Sequence, residues 1–176
     1  MTEKEFTNRV TQSKRDFLQE FLDLLEQSKI QYCIIGGLAV NAYAEPVVSL
    51  DLDIIIAAQE IERLLQTFPK EYSVKKEKHS VNVSASFSDF RIQLQTDERY
   101  QDFIKRATNK SVLGYNVLVA ALEDVLQGKL WAYSDSERRP SKRQKDLADI
   151  LRLLESNPGV HSTPVGKIAK QTVSKL

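Results

Sequence analysis

Asp51 and Asp53 lie two residues apart in the run LDLDIII, Leu50 to Ile56. On a strand, residues i and i+2 project to the same face, so the two carboxylates stand side by side. Each raises the other's cost of ionisation. The flanking Leu50, Leu52, Ile54, Ile55 and Ile56 imply a buried strand, where unpaired charge is expensive. A divalent cation removes that cost, and hard Mg²⁺ (or Mn²⁺) prefers carboxylate oxygens while keeping positions open for phosphate. Upstream, Gly36-Gly37 ends the apolar run IQYCII. Without Cβ atoms, backbone N–H groups there can approach a phosphate, and a following helix adds its positive end. Paired metal carboxylates beside a phosphate-binding turn are the equipment of phosphoryl or nucleotidyl transfer. Taken singly, Gly-Gly is more often a plain turn and Asp-x-Asp can be a solvated strand edge; the pair at this spacing favours the site.

The elements that would position these groups follow from the pattern. Residues 3–28 carry a helical apolar stripe of Phe17, Leu18, Phe21, Leu22, Leu24 and Leu25. Strands are expected over 30–35, 49–57, 72–77, 81–87, 90–95 and 112–119, and helices over 38–43, 60–67, 98–107, 122–133 and 145–155. Glu45-Pro46 closes the helix after Gly-Gly, since the residue before proline disfavours the α region. The predicted class is α+β, a mixed sheet flanked by helices with a C-terminal helical part. Residues 1–120 form the sheet core with its N-terminal helix, and 121–155 the helical part of the same domain. Residues 156–176, with Pro158-Gly159 and Pro164, read as a loosely attached tail.

The chain has 176 residues, enough for one domain. Lys plus Arg is 25 and Asp plus Glu is 24, a net charge of +1, which excludes a wholly basic nucleic-acid coat or an acidic solvating tail. No apolar run approaches the ~20 residues of a membrane helix, and the N-terminus lacks a signal-peptide core. One cysteine, Cys33, and two histidines, His79 and His161, favour neither an internal disulfide nor a structural zinc site. A reducing, cytoplasmic setting with no membrane partner is expected. Walker A, G-x-G-x-x-G, G-x-S-x-G and H-E-x-x-H patterns do not occur.

Gly36-Gly37, thirteen intervening residues and Asp51-Leu-Asp53 resemble the signature of the polymerase-β-type nucleotidyltransferase superfamily. The downstream segment Leu122–Leu154 is similar to the helical part of the small bacterial proteins related to the AbiEii/AbiGii toxins, with Lys129 and the Lys145-Asp146…Asp149 run in the matching positions. The resemblance implies the nucleotidyltransferase fold, Mg²⁺ (or Mn²⁺) and a nucleoside triphosphate. It gives Asp51 and Asp53 the metal and, with Lys129 and Lys145, the catalytic roles. Gly36, Gly37 and Ser49 take nucleotide-binding roles.

Two positions depart from the family pattern. Val47 and Ser49 stand where Arg-x-Thr is common, and Gln93 in FRIQLQT stands where a third Asp is expected. Arg91, Gln93 and Gln95 share one strand face; Asp89 or Asp97 would replace Gln93 only if the register slips. A glutamine offers a metal one amide oxygen but cannot act as base. Binding without efficient transfer, as in a nucleotide-sensing or protein-interaction module of a toxin–antitoxin pair, is the competing reading. Arg138, Arg139, Lys142, Arg143 and Lys145 place five positive charges in eight residues. They read either as a solvated loop and helix start, or as a patch for nucleotide phosphates, RNA or a protein partner. Trp131 and Tyr133 read as core or as base-stacking groups. Asp146 and Asp149 share a helix face, His79 and His161 read as surface, and Cys33 as a buried small hydrophobe.

Overall fold

The computed structural model describes residues 1–175. Seven strands form one mixed sheet in the order β3-β4-β5-β2-β1-β7-β6. Two parallel pairings, β2 with β5 and β1 with β7, are set among antiparallel ones. β1 (Tyr32–Ile35) and β2 (Asp51–Ile56) occupy the centre, where β-branched runs buried on both faces belong. β3 (Tyr72–Lys76), β4 (Ser80–Ala85) and β5 (Ser88–Gln95) form one flank; β6 (Thr108–Val112) and β7 (Tyr115–Val119) form the other. Leu52, Ile54, Val83, Ile92 and Leu94 are buried together with Phe17, Phe21 and Leu25 of helix α2 (Phe17–Gln27). At 20–33 cal/mol per Å² of apolar surface, this continuous core is the main force holding the strands in register.

Three local expectations differ from the structure. The stripe over 3–28 is two helices, α1 (Glu3–Val10) and α2, because Gln12 adopts φ 50° and Asp16 starts α2 by accepting from Gln19 N–H. The strand expected over 112–119 is the β6–β7 hairpin, turned by Leu113 (φ 51°) and Gly114 (φ 78°). A two-residue turn with both φ values positive matches the twist of the flanking strands. Residues 156–175 are not a loose tail: Pro164–Val173 is a helix, α7, with Val165 and Ala169 buried and Thr163 capping Gly166 N–H. Pro164 begins this helix rather than breaking the chain, since the first helical position has no N–H bond to lose. Leu176, the end of the expected tail, lies outside the described residues.

The short helix α3 (Gly36–Val40) follows β1 directly, and α4 (Ile61–Leu65) follows β2. A 3₁₀ segment, Glu98–Arg106, leaves β5. Helices α5 (Leu122–Ser134) and α6 (Pro140–Ser156) pack on one another and against α3. That places a helical wall opposite one end of the sheet. Among the described residues, no helix is long and apolar enough to cross a membrane.

Candidate active site

Asp51 and Asp53 project from the start of β2 into one cavity of about 630 Å³. Parallel β5 runs beside them, its register pairing Asp51 with Arg91 and Asp53 with Gln93. β4 sets Ser84 next to Arg91 and Asn82 next to Gln93, and β3 adds Ser73 and Lys75. Two rows therefore cross four strands on one face, Ser73–Ser84–Arg91–Asp51 and Lys75–Asn82–Gln93–Asp53, and all eight residues line the cavity. Gln93 thus neighbours Asp53, in the register the alternation of β5 requires. Asp89 instead accepts from Gln12 Nε2 at 2.7 Å, and Asp97 lies beyond the strand, bonded to Arg99.

Asp51 carries a partner the sequence reading did not assign. Arg91 Nε lies 2.8 Å from Asp51 Oδ1, the Arg91 side chain 66% and that of Asp51 34% exposed. The signal was present in the shared parity of Arg91 and Gln93; only the neighbouring strand's register was lacking. Burial pushes the Asp53 carboxyl upward from its usual range, Lys129 pulls it down, and Asp51 pushes it up again; the net direction is up. Gly36 makes the Asp53 position possible. Its φ is +68°, and an added Cβ would collide with the Asp53 carboxylate. The glycine is therefore required by the carboxylate itself. Gly37 and Ser49 do not line the cavity; a Cβ on Gly37 would meet Ser49 Oγ at 3.7 Å, and that hydroxyl donates to the Asp51 carbonyl.

The opposite wall comes from α5 and α6. Lys129 is buried between Asp146 Oδ1 at 3.0 Å and Asp149 Oδ2 at 2.7 Å. Burial alone would lower the Lys129 pKa, but Asp149 and Asp146 outweigh it and the net direction is up. Arg138 closes on Asp146 from the other side, and Arg152 joins Asp149 to Asn41, whose side chain holds both Val47 N–H and Val47 C=O. The loop from α3 to β2 is thereby tied to the helices. The sequence pointed to Lys129 only through the family likeness, and did not show it buried.

The five-charge run is divided. Arg138 is bound to Asp146; Arg143 donates to the Tyr133 carbonyl and covers its ring at 5.3 Å. Arg139 and Lys142 line the cavity without a carboxylate partner among the described residues. Lys145, expected at the site, is exposed and does not line the cavity. Trp131 stacks on Phe103 at 5.8 Å and meets Tyr100 edge-on, with Arg99 over its ring, so its faces are already covered. Cys33 is buried, its thiol pushed up to about 12 by burial and by Asp124. His79 is exposed, and His161 Nε2 lies 2.8 Å from the Leu154 carbonyl.

Among the described residues, no group of three or more His, Cys, Asp or Glu could hold a metal ion. The donor set at the cleft is two carboxylates and one amide. That chemistry suits a single hard cation completing its shell with water and phosphate oxygens.

No family model matches the sequence, and no curated protein matches it. Solved structures do. The antibiotic-resistance factor ANT(2'')-Ia superposes with a TM-score of 0.59 at 11% identity, covering 90% of each chain. A nucleotidyltransferase-like protein of Paracoccidioides brasiliensis gives 0.58 at 16% identity, over 88% of this chain and 85% of that one. The lincosamide antibiotic adenylyltransferase LnuA, bound to lincomycin, gives 0.55 at 13% identity, over 81% and 99%. The chain has the nucleotidyltransferase-like fold of these proteins. These likenesses bear on the fold and not on the AbiEii/AbiGii branch.

Proposed function

We propose that this nucleotidyltransferase fold binds a nucleoside triphosphate with one divalent cation, and transfers the nucleoside monophosphate to an acceptor with release of pyrophosphate. One observation carries the reading: Asp51 and Asp53 face Arg139 and Lys142 across a single cavity. Asp51, Asp53 and the Gln93 amide oxygen would hold Mg²⁺ or Mn²⁺. When bound, the cation supplies charge neutralisation and polarisation of phosphate oxygens. Arg139 and Lys142 attract the triphosphate. Lys129 favours the ionised form of Asp53 without touching ligand. Lys145, Gly37 and Ser49 have no direct part in this reading.

A second reading keeps binding and drops transfer, as in a nucleotide-sensing or toxin–antitoxin module. Gln93 in place of a carboxylate favours it. Incubation with γ-³²P-labelled nucleoside triphosphates and Mg²⁺ separates the two. Metal-dependent pyrophosphate release that is lost in Asp51→Ala/Asp53→Ala supports transfer. Tight, metal-dependent binding with no release across all four bases leaves the sensing module.

A further inference from the structure

The sheet wall of the cleft carries charges that the triphosphate does not use. The nine lining residues of β3, β4 and β5 include Lys75, Arg91, Gln93 and Gln95, and none of the nine is a carboxylate. Gln93, the neighbour of Asp53, cannot remove a proton from an attacking hydroxyl. Among the described residues, Arg91 is held only by Asp51, in a pair exposed enough to be worth about 1 kcal/mol or less. A cation on Asp51 would take over that carboxylate and free the guanidinium.

We infer that the acceptor is a phosphate-bearing molecule whose phosphate oxygen is the nucleophile, seated by Arg91 on the β3–β5 side of the cleft. The inference rests on the nucleotidyl-transfer reading above. A phosphate is already ionised at neutral pH, so an attack by it needs no base, and the neutral Gln93 ceases to be a defect. The fork of a guanidinium matches phosphate oxygens in pairs. Lys75, paired with Glu77 at 2.6 Å, adds a second cation on the same wall. In the step, an acceptor oxygen bonds to the α-phosphorus as the bond from that phosphorus to the bridging oxygen breaks. Pyrophosphate leaves with the electron pair, no proton changes place, and the product is a phosphoanhydride. Arg91 exchanges Asp51 for the acceptor only when the cation is present. Acceptor affinity and cation affinity are therefore coupled, each raising the other by the same factor.

Inorganic phosphate is the probe. The protein is first titrated with Mg²⁺ and a non-hydrolysable ATP analogue, which tests the nucleotide site by itself; no binding at this stage overturns the parent reading. Phosphate is then titrated into the loaded protein by calorimetry. The expected result is binding that weakens at least about tenfold in Arg91→Gln, the loss of one charge-assisted contact, while analogue affinity is kept. Without Mg²⁺ and analogue, phosphate should bind wild type at least about tenfold more weakly. In turnover, ATP with phosphate should release pyrophosphate faster than ATP with glycerol, a hydroxyl donor of similar size. Nucleotide binding with no phosphate binding, equal phosphate affinity in Arg91→Gln, or glycerol as the better acceptor would each overturn the inference while leaving the nucleotide site standing. Arg91 is a surface residue, so the variant should fold; circular dichroism melting checks this.

Discussion

The two walls of the cleft treat charge in opposite ways. On the helix wall, Lys129, Arg138 and Arg152 are all paired with Asp146 or Asp149, and the Asp146 side chain is 2% exposed. On the sheet wall, the Asp51–Arg91 pair lies open to water and Gln93 brings no charge. A buried network is costly to break, because removing one member strands its partners away from water. An exposed pair exchanges partners at little cost. The helix wall is thus a rigid support tying α5, α6 and the α3–β2 loop together, and the sheet wall is where ligands can replace protein contacts.

The largest effect should follow from Lys129→Met, which leaves Asp146 to Arg138 and Asp149 to Arg152 alone, with the carboxylate oxygens that met the ammonium unpaired in a dry site. A loss of about 3–5 kcal/mol is expected in urea denaturation. A loss below about 1 kcal/mol would make the two walls alike and end the distinction. Gly36→Ala comes next. The added Cβ meets the Asp53 carboxylate and the backbone must hold φ +68°, so about 1–3 kcal/mol should be lost together with the Mg²⁺-dependent rise in melting temperature. An unchanged Mg²⁺ response would show that Asp53 tolerates displacement.

Asp53→Asn should act more gently and in the opposite direction. The folded pKa of Asp53 is raised, so the ionised form is the less stable one. Its contribution is fully present below the ordinary carboxylate range and is lost as pH rises through the raised value. Melting measured from that range upward should therefore fall less steeply in Asp53→Asn, with a slightly higher melting temperature at neutral pH in the absence of Mg²⁺. A lower melting temperature would instead mark Asp53 as structurally bonded. Smallest of all is Lys145→Ala, expected to change stability by less than about 0.5 kcal/mol and nucleotide affinity not at all. A tenfold loss of affinity would return Lys145 to the site.

What the chain discloses in advance follows the range of the interactions. The shared face of Asp51 and Asp53 and the placement of Gln93 depend on strand alternation, a local period, and were legible. The break between α1 and α2 was not, because it depends on Lys14 N–H reaching the Phe87 carbonyl and Tyr115 Oη donating to Asp16. Burial of Lys129 was hidden for the same reason, since its compensating carboxylates come from another helix. The β6–β7 turn was within reach: Gly114 between two apolar runs is a turn signal that the continuous strand assignment overrode. For Gly36 the position was legible but the physical reason was not, because only the fold brings Asp53 against it.

Calorimetric titration of a non-hydrolysable nucleoside triphosphate analogue, with and without Mg²⁺, into wild type and Asp51→Ala/Asp53→Ala asks whether the paired aspartates hold the metal-bound nucleotide. Binding should require Mg²⁺ in wild type and disappear in the double variant while its fold is retained. Binding indifferent to Mg²⁺, or undiminished in the double variant, would take the metal-bound nucleotide away from Asp51 and Asp53.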